Sequence, residues 1–175
     1  MKEIISITRL TTIEEAEILD LKFAEHFGWY QRGDYYRQCL EENQTNKRVT
    51  LIAHYNDSVA GCCHLLYESK YPFFREDHIP EINDLNIFPE YRRKQIASKL
   101  FDELERIAAK DSRFIGLGVG LYKDYGNAQR MYTARGYILD GRGMMYNNVP
   151  VIPGQNVMVD DDLLLYLTKD LQSKL

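Results

Sequence analysis

The order of elements in this chain, β-α-α-β-β-β-α-β-α-β-β, predicts an α+β fold built on one mixed sheet. Three observations carry that expectation. The apolar positions Ile96, Ala97, Leu100, Phe101, Leu104, Ile107 and Ala108 recur at three- and four-residue spacing, so Arg92–Lys110 reads as a helix with one buried face. Val49–Tyr55 and Val59–Tyr67 are β-rich and flank Asn56-Asp57-Ser58, which is turn chemistry, so they read as a hairpin. Strands and helices also fail to alternate regularly, which argues against a doubly wound sheet.

The remaining elements follow in order. Glu3–Leu10 reads as a short strand with Ile5 and Ile7 on one face. Ile13 to about Phe27 reads as a helix, with Thr12 as its cap and Glu14 and Glu15 in the first turn, where the helix dipole favours acids. Gly28 interrupts it, and a second helix runs from Asp34 to about Asn43. Pro72 and Pro80 mark Tyr71–Pro80 as loop. Glu81–Phe88 is extended and stops at Pro89. Beyond the long helix, Arg113–Gly120 is a strand carrying three glycines, and Asp124–Arg135 is a helix ended by Gly136, a natural left-handed cap. Tyr137–Leu139 begins another strand, Asp140–Asn156 is loop-rich, and Leu163–Lys169 is the last strand.

At 175 residues and 45% hydrophobic content, residues 1–175 suffice for a single domain with its own core. The 22 Lys and Arg against 26 Asp and Glu leave a net charge of −4, which argues against a general nucleic-acid binder. No stretch approaches the ~20 apolar residues of a membrane span, and Met1–Ile5 lacks a signal-peptide core. Three cysteines, two of them adjacent (Cys62 and Cys63), offer no CxxC pair and suit a reducing compartment, so a cytoplasmic location is expected. His26, His54, His64 and His78 are scattered, so no metal is expected.

The chemistry concentrates in Asp84–Ala97. Arg92, Arg93 and Lys94 stand in or beside the first turn of the long helix, where free N–H groups already supply about half a positive charge. A bound anion would turn that repulsion into attraction, and phosphate binding is the favoured reading over a solvated basic patch. The strand before it is unusually polar. By alternation Glu81 and Asn83 share a face with Leu85 and Ile87, and Asp84 and Asn86 share the other with Ile82 and Phe88. That polarity fits either an exposed strand face or a strand lining a polar cleft, with a carboxylate as base. Gly116-Leu117-Gly118-Val119-Gly120 is GxGxG inside a strand, so it marks a close backbone approach better than a dinucleotide site. Trp29, Tyr30, Tyr35 and Tyr36 are either core or an apolar wall for a substrate, with core the simpler reading.

Two of these segments carry a resemblance. Arg92-Arg93-Lys94-Gln95-Ile96-Ala97 resembles the R-x-x-G-x-A pyrophosphate loop of the GNAT superfamily of N-acetyltransferases, with Gln95 where glycine is usual. Ile87-Phe88-Pro89-Glu90-Tyr91 looks like that family's lead-in, and Ala128–Tyr137 is similar to its A-x-x-x-Y-x-x-x-G-(F/Y) element. The resemblance implies a single mixed, mostly antiparallel sheet flanked by helices, with acetyl-CoA as cosubstrate and an amine-bearing, small-molecule acceptor attacked directly. It also implies that Arg92, Arg93, Lys94, Gln95, Ile96, Ala97 and Ser98 hold the pyrophosphate and that Leu85, Asn86 and Ile87 pair with the pantetheine. Asn127, Ala128 and Met131 would add cofactor contacts. The family tends to carry asparagine seven residues before the motif tyrosine, where this chain has Tyr125, while Asn127 lies five before. Tyr132 would protonate the departing thiolate, Glu81 or Asp84 would accept the amine proton, and a backbone N–H near Asn86–Phe88 would meet the oxyanion. A homodimer is a family habit. The rival readings are a non-catalytic acyl-CoA-binding sensor of the same fold and a nucleotide-binding enzyme using the glycine-rich strand.

Overall fold

The computed structural model describes residues 3–172. Their strands form a mixed, mostly antiparallel sheet with helices packed beside it, an α+β architecture. Internal contacts divide the chain into two compact units. One takes in the chain up to Tyr67 together with Asn83–Ile107, and the other Glu68–Ile82 together with the chain from Ala108 onward.

In the first unit, β1 (Ile5–Arg9), β2 (Arg48–Tyr55) and β3 (Ser58–Leu66) pair antiparallel, with Ile5 opposite Tyr55 and Val49 opposite Leu65. The greater part of β4 (Glu81–Ile87) follows β3. Helix α1 (Ile13–His26) starts at a full capping box. The Glu15 N–H donates to Thr12 Oγ1 at 3.2 Å, and the Thr12 N–H donates to the Glu15 carboxylate at 3.0 Å. With α2 (Tyr35–Gln44) it encloses a core in which Phe23 meets Tyr36 and Phe88 at ring separations of 5.1 and 5.3 Å. Truncating a buried ring such as Phe88 would cost about 3–5 kcal/mol. Cys62 belongs to this core, and burial pushes its thiol up to about 12, so it packs as a small apolar side chain.

In the second unit, the first two residues of β4 pair parallel with β5 (Phe114–Gly120), Glu81 opposite Gly116. Strand β5 runs antiparallel to β9 (Leu163–Asp170), which also pairs with β6 (Ile138–Leu139) and β7 (Met145–Tyr146). The glycines of β5 are explained by rings lying on them. A Cβ at Gly116 would stand 2.3 Å from the Phe74 ring, and one at Gly120 the same distance from Tyr125. This is the close approach that their spacing suggests.

Three sequence expectations need correction. The segment read as loop contains α3 (Pro72–Glu76), because proline in a first helical position lacks only an N–H that the helix would leave unpaired. Within Asp140–Asn156, β7 and β8 (Val149–Pro150) form a short hairpin. The long helix, α4 (Ile96–Ala108), begins at its first apolar position, four residues later than the expected start at Arg92, because Arg93 and Gln95 have positive φ angles of 59° and 62°. Helix α5 (Gly126–Ala134) follows a 3₁₀ turn at Lys123–Tyr125.

Candidate active site

The phosphate-loop candidate lies in the first unit, between β4 and α4. After the 3₁₀ turn Pro89–Tyr91, the chain passes through Arg92 in extended geometry and then through left-handed Arg93 and Gln95 before entering the helix. The N–H groups opening α4 have no partner inside the helix and point out of its end. Arg92 and Arg93 are exposed there, and Arg92 Nε is held by the Ile87 carbonyl at 3.2 Å. Lys94 is turned elsewhere. Its ammonium donates to the Tyr55 hydroxyl at 3.2 Å, sits 4.5 Å from the centre of that ring, and lies 3.6 Å from the Glu3 carboxylate. Of the three cations in the sequence motif, the two arginines therefore face solvent. Ile96 is buried and anchors the helix start, whereas Ala97 and Ser98 are half-buried.

Strand β4 supplies the second part of the site. Asp84 has φ +50°, so the strand's alternation breaks in its middle, and the face assignments expected from strict alternation do not hold across it. Glu81 and Ile82 are both buried, while Asp84 is exposed. Gly61 of β3 must be glycine: its φ is +156°, and a Cβ would lie 2.1 Å from the Asn86 carbonyl oxygen. One carbonyl further back in β3, Ala60 accepts the Phe88 N–H at 2.9 Å, so that N–H is not a vacant oxyanion donor. Leu85, Asn86 and Ile87 are half-buried beside these contacts.

Asp84 and Asn86 line a cavity of about 250 Å³ in the first unit, together with Phe23, Trp29, Tyr30, Tyr35, Tyr36 and His64. The four-aromatic cluster thus divides: Tyr36 is core at 1% exposure, Tyr30 and Tyr35 are half-buried, and Trp29 is 67% exposed. The Tyr35 hydroxyl donates to Asp84 Oδ2 at 3.0 Å. The same hydroxyl meets His64 Nε2 at 3.4 Å, and His64 Nδ1 meets Thr50 Oγ1 at 2.8 Å. With Tyr35 donating to the carboxylate, the imidazole donates from Nε2 and accepts from Thr50. Burial, reinforced by the Arg48 charge, pushes His64 down to about 3, so this imidazole is neutral.

A second carboxylate organises the rim. Asp20, buried on α1, accepts from Tyr30 (2.8 Å), Arg32 (2.9 Å) and the Gly33 N–H (3.0 Å). Burial pushes its acidity down, but these three donors outweigh burial and hold its carboxyl below the ordinary range. Asp20, His64 and Thr50 carry no sequence signal, because their partners lie 10 to 29 residues away.

The other expected residues belong to the second unit. Glu81, 6% exposed, accepts a short hydrogen bond from the Ser69 hydroxyl, which in turn accepts the Tyr71 N–H at 2.9 Å. The two carboxylates that the sequence left equivalent thus differ sharply in access to solvent. Tyr132 lies on α5 at 8% exposure, its ring 6.2 Å from that of Tyr137. Ala128 and Met131 are half-buried on the same helix, and Asn127 is exposed in its first turn. Tyr125, at the position usual for asparagine, has its ring on Gly120 and its hydroxyl on Asp161 at 2.8 Å.

No curated protein sequence matches the chain. Among solved structures it is similar to an N-acetyltransferase from Staphylococcus aureus Mu50, at 18% identity and TM-score 0.69, over 98% of this chain and all of that one. It is similar to an aminoglycoside 6′-N-acetyltransferase complexed with coenzyme A, at 17% identity and TM-score 0.63, over 98% of both chains. A third is Arabidopsis thaliana Naa50 in complex with a bisubstrate analogue, at 17% identity and TM-score 0.63, over 95% of this chain and 98% of that one. These likenesses concern the fold. The model of the acetyltransferase (GNAT) family matches residues 15–137, well over half of the chain and inclusive of both motifs. The chain belongs to the GNAT family of acetyl-CoA-dependent N-acetyltransferases.

Proposed function

We propose that this chain binds acetyl-CoA at Arg92–Ser98 and transfers its acetyl group, by direct attack, to the primary amine of a small molecule held in the cavity beside Asp84. The observation that carries the reading is the pair of left-handed residues, Arg93 and Gln95, directly before α4, with Arg92 and Arg93 exposed beside a helix end whose first N–H groups lack intrahelical partners. That combination suits a pyrophosphate. Leu85, Asn86 and Ile87 are assigned to the pantetheine, and Asn127, Ala128 and Met131 to further cofactor contacts. Tyr132 is assigned as the acid: a phenol of pKa about 10 is a suitable donor to a thiolate whose conjugate acid has pKa about 8.5.

Asp84 takes the role of proton acceptor in preference to Glu81. It is exposed in the cavity and can pass a proton on to water, whereas Glu81 is buried and engaged by Ser69. The test pairs calorimetry with thiol release from acetyl-CoA over an amine panel. Arg92→Glu is expected to weaken acetyl-CoA binding at least about tenfold, near 1.4 kcal/mol. Tyr132→Phe is expected to lower kcat about 100-fold with little change in acetyl-CoA affinity. Binding without thiol release on any amine would identify a sensor, and unchanged binding by Arg92→Glu would remove the loop assignment.

A further inference from the structure

The cavity beside Asp84 has one carboxylate among its lining residues and five aromatic rings: Phe23, Trp29, Tyr30, Tyr35 and Tyr36. Two charged pairs flank it, although Arg48 Nη1 is buried without a hydrogen-bond partner. Asp20, which holds the Tyr30 hydroxyl, is paired with Arg32 at 2.9 Å. Arg48, whose guanidinium lies 6.0 Å from the centre of the Tyr35 ring, is paired with Glu42 at 2.6 Å and does not line the cavity. His64 is buried and neutral. Among the described residues that line the cavity, Asp84 is the one charged side chain, and the Tyr35 hydroxyl fixes one of its oxygens at 3.0 Å.

We infer that the acceptor is a monocationic arylalkyl primary amine, its ammonium paired with Asp84 and its apolar body against the aromatic walls. The inference rests on the acceptor placement proposed above and narrows it to one charge class. An ammonium gains from the carboxylate and from the ring faces around it. A second ammonium on the same molecule would find no carboxylate in the lining, so a polyamine loses its water shell there without compensation. Trp29 sets the wall at the mouth: its indole stacks on Phe27 at 5.3 Å and stands edge-on to Tyr30 at 6.0 Å.

Trp29 is the only tryptophan in the chain, so its fluorescence reports occupancy of this cavity with no acetyl-CoA present. The experiment titrates the full chain with phenethylamine, its uncharged analogue 2-phenylethanol, and spermidine, following tryptophan emission, and separately measures thiol release with each amine. Saturable quenching by phenethylamine is expected, with 2-phenylethanol and spermidine at least about tenfold weaker. Asp84→Asn is expected to weaken phenethylamine about 10- to 100-fold, the span of a lost charge-assisted hydrogen bond. Asparagine tolerates the left-handed backbone at this position, so the variant should keep its thermal midpoint. Saturable quenching by phenethylamine, with no thiol release on any amine of the panel, would uphold the cavity's ligand class while sinking acetyl transfer. Rapid turnover of spermidine with no tryptophan response to phenethylamine would overturn this inference and leave acetyl transfer standing. Equal affinity of the Asp84→Asn variant and the parent for phenethylamine would also overturn it.

Discussion

Gln95, where the motif usually has glycine, holds a backbone angle that glycine adopts freely. Its φ of 62° is the left-handed conformation that glycine reaches freely and that costs another residue about 1–2 kcal/mol. The glutamine therefore carries a local backbone strain that glycine would not. Gln95→Gly should relieve that strain, offset in part by glycine's greater freedom in the unfolded chain, for a net gain of about 0.5–1 kcal/mol. Thermal unfolding should show a midpoint about 1–3 °C higher, with acetyl-CoA affinity unchanged within about twofold. A lower midpoint would mean that the glutamine side chain contributes contacts that outweigh its backbone. The substitution of glycine was visible in the sequence; its backbone consequence was not, because φ at one position depends on the turn the neighbours impose.

At the scale of elements, what was legible had local causes. The capping box at Thr12, the amphipathic face of α4 and the Asn56-Asp57-Ser58 turn are each written within a few residues, and each appears where the pattern places it. The start of α4 was placed four residues early because Arg92–Gln95, which precede its first apolar position, were read as its first turn, and nothing in their side chains shows that Arg93 and Gln95 are left-handed. Helix α3 was hidden by Pro72, read as a breaker where it is a starter. The polar strand β4 was recognised as unusual, but the choice between Glu81 and Asp84 needed their burial, since Glu81 is enclosed and Asp84 is exposed, and burial depends on what covers each face of the strand. The aromatic cavity was only half visible: its Trp29–Tyr36 wall lies in one segment, but His64, Asp84 and Asn86 join it from 28 or more residues further on.

For the whole molecule, the clearest consequence of burial is a stability that depends on pH. His64 protonates near 6.5 in an unfolded chain and near 3 when folded. The unfolded state therefore binds the proton first as pH falls. The contribution of neutral His64 is complete above about pH 6.5 and is lost progressively from there toward about 3, at up to about 1.4 kcal/mol per pH unit. Denaturant unfolding at steps between about pH 7 and 4.5 should show this slope, and His64→Gln should flatten it, since glutamine can still accept from Thr50 but cannot take up the proton. A parent protein whose midpoint stayed constant across that range would show that His64 is already solvated when folded. None of the described helices is long and apolar enough to cross a membrane.

The left-handed turn at Asp84 also restricts how this enzyme could drift between substrates. Few side chains sit comfortably at that angle: glycine, asparagine and aspartate. Evolution at this codon can thus erase the negative charge or keep it at little cost, whereas a longer acid or a basic group would carry the backbone strain that Arg93 and Gln95 already bear. Selectivity for differently charged acceptors would change by switching one position on or off, and finer discrimination by size would have to come from trimming the surrounding rings.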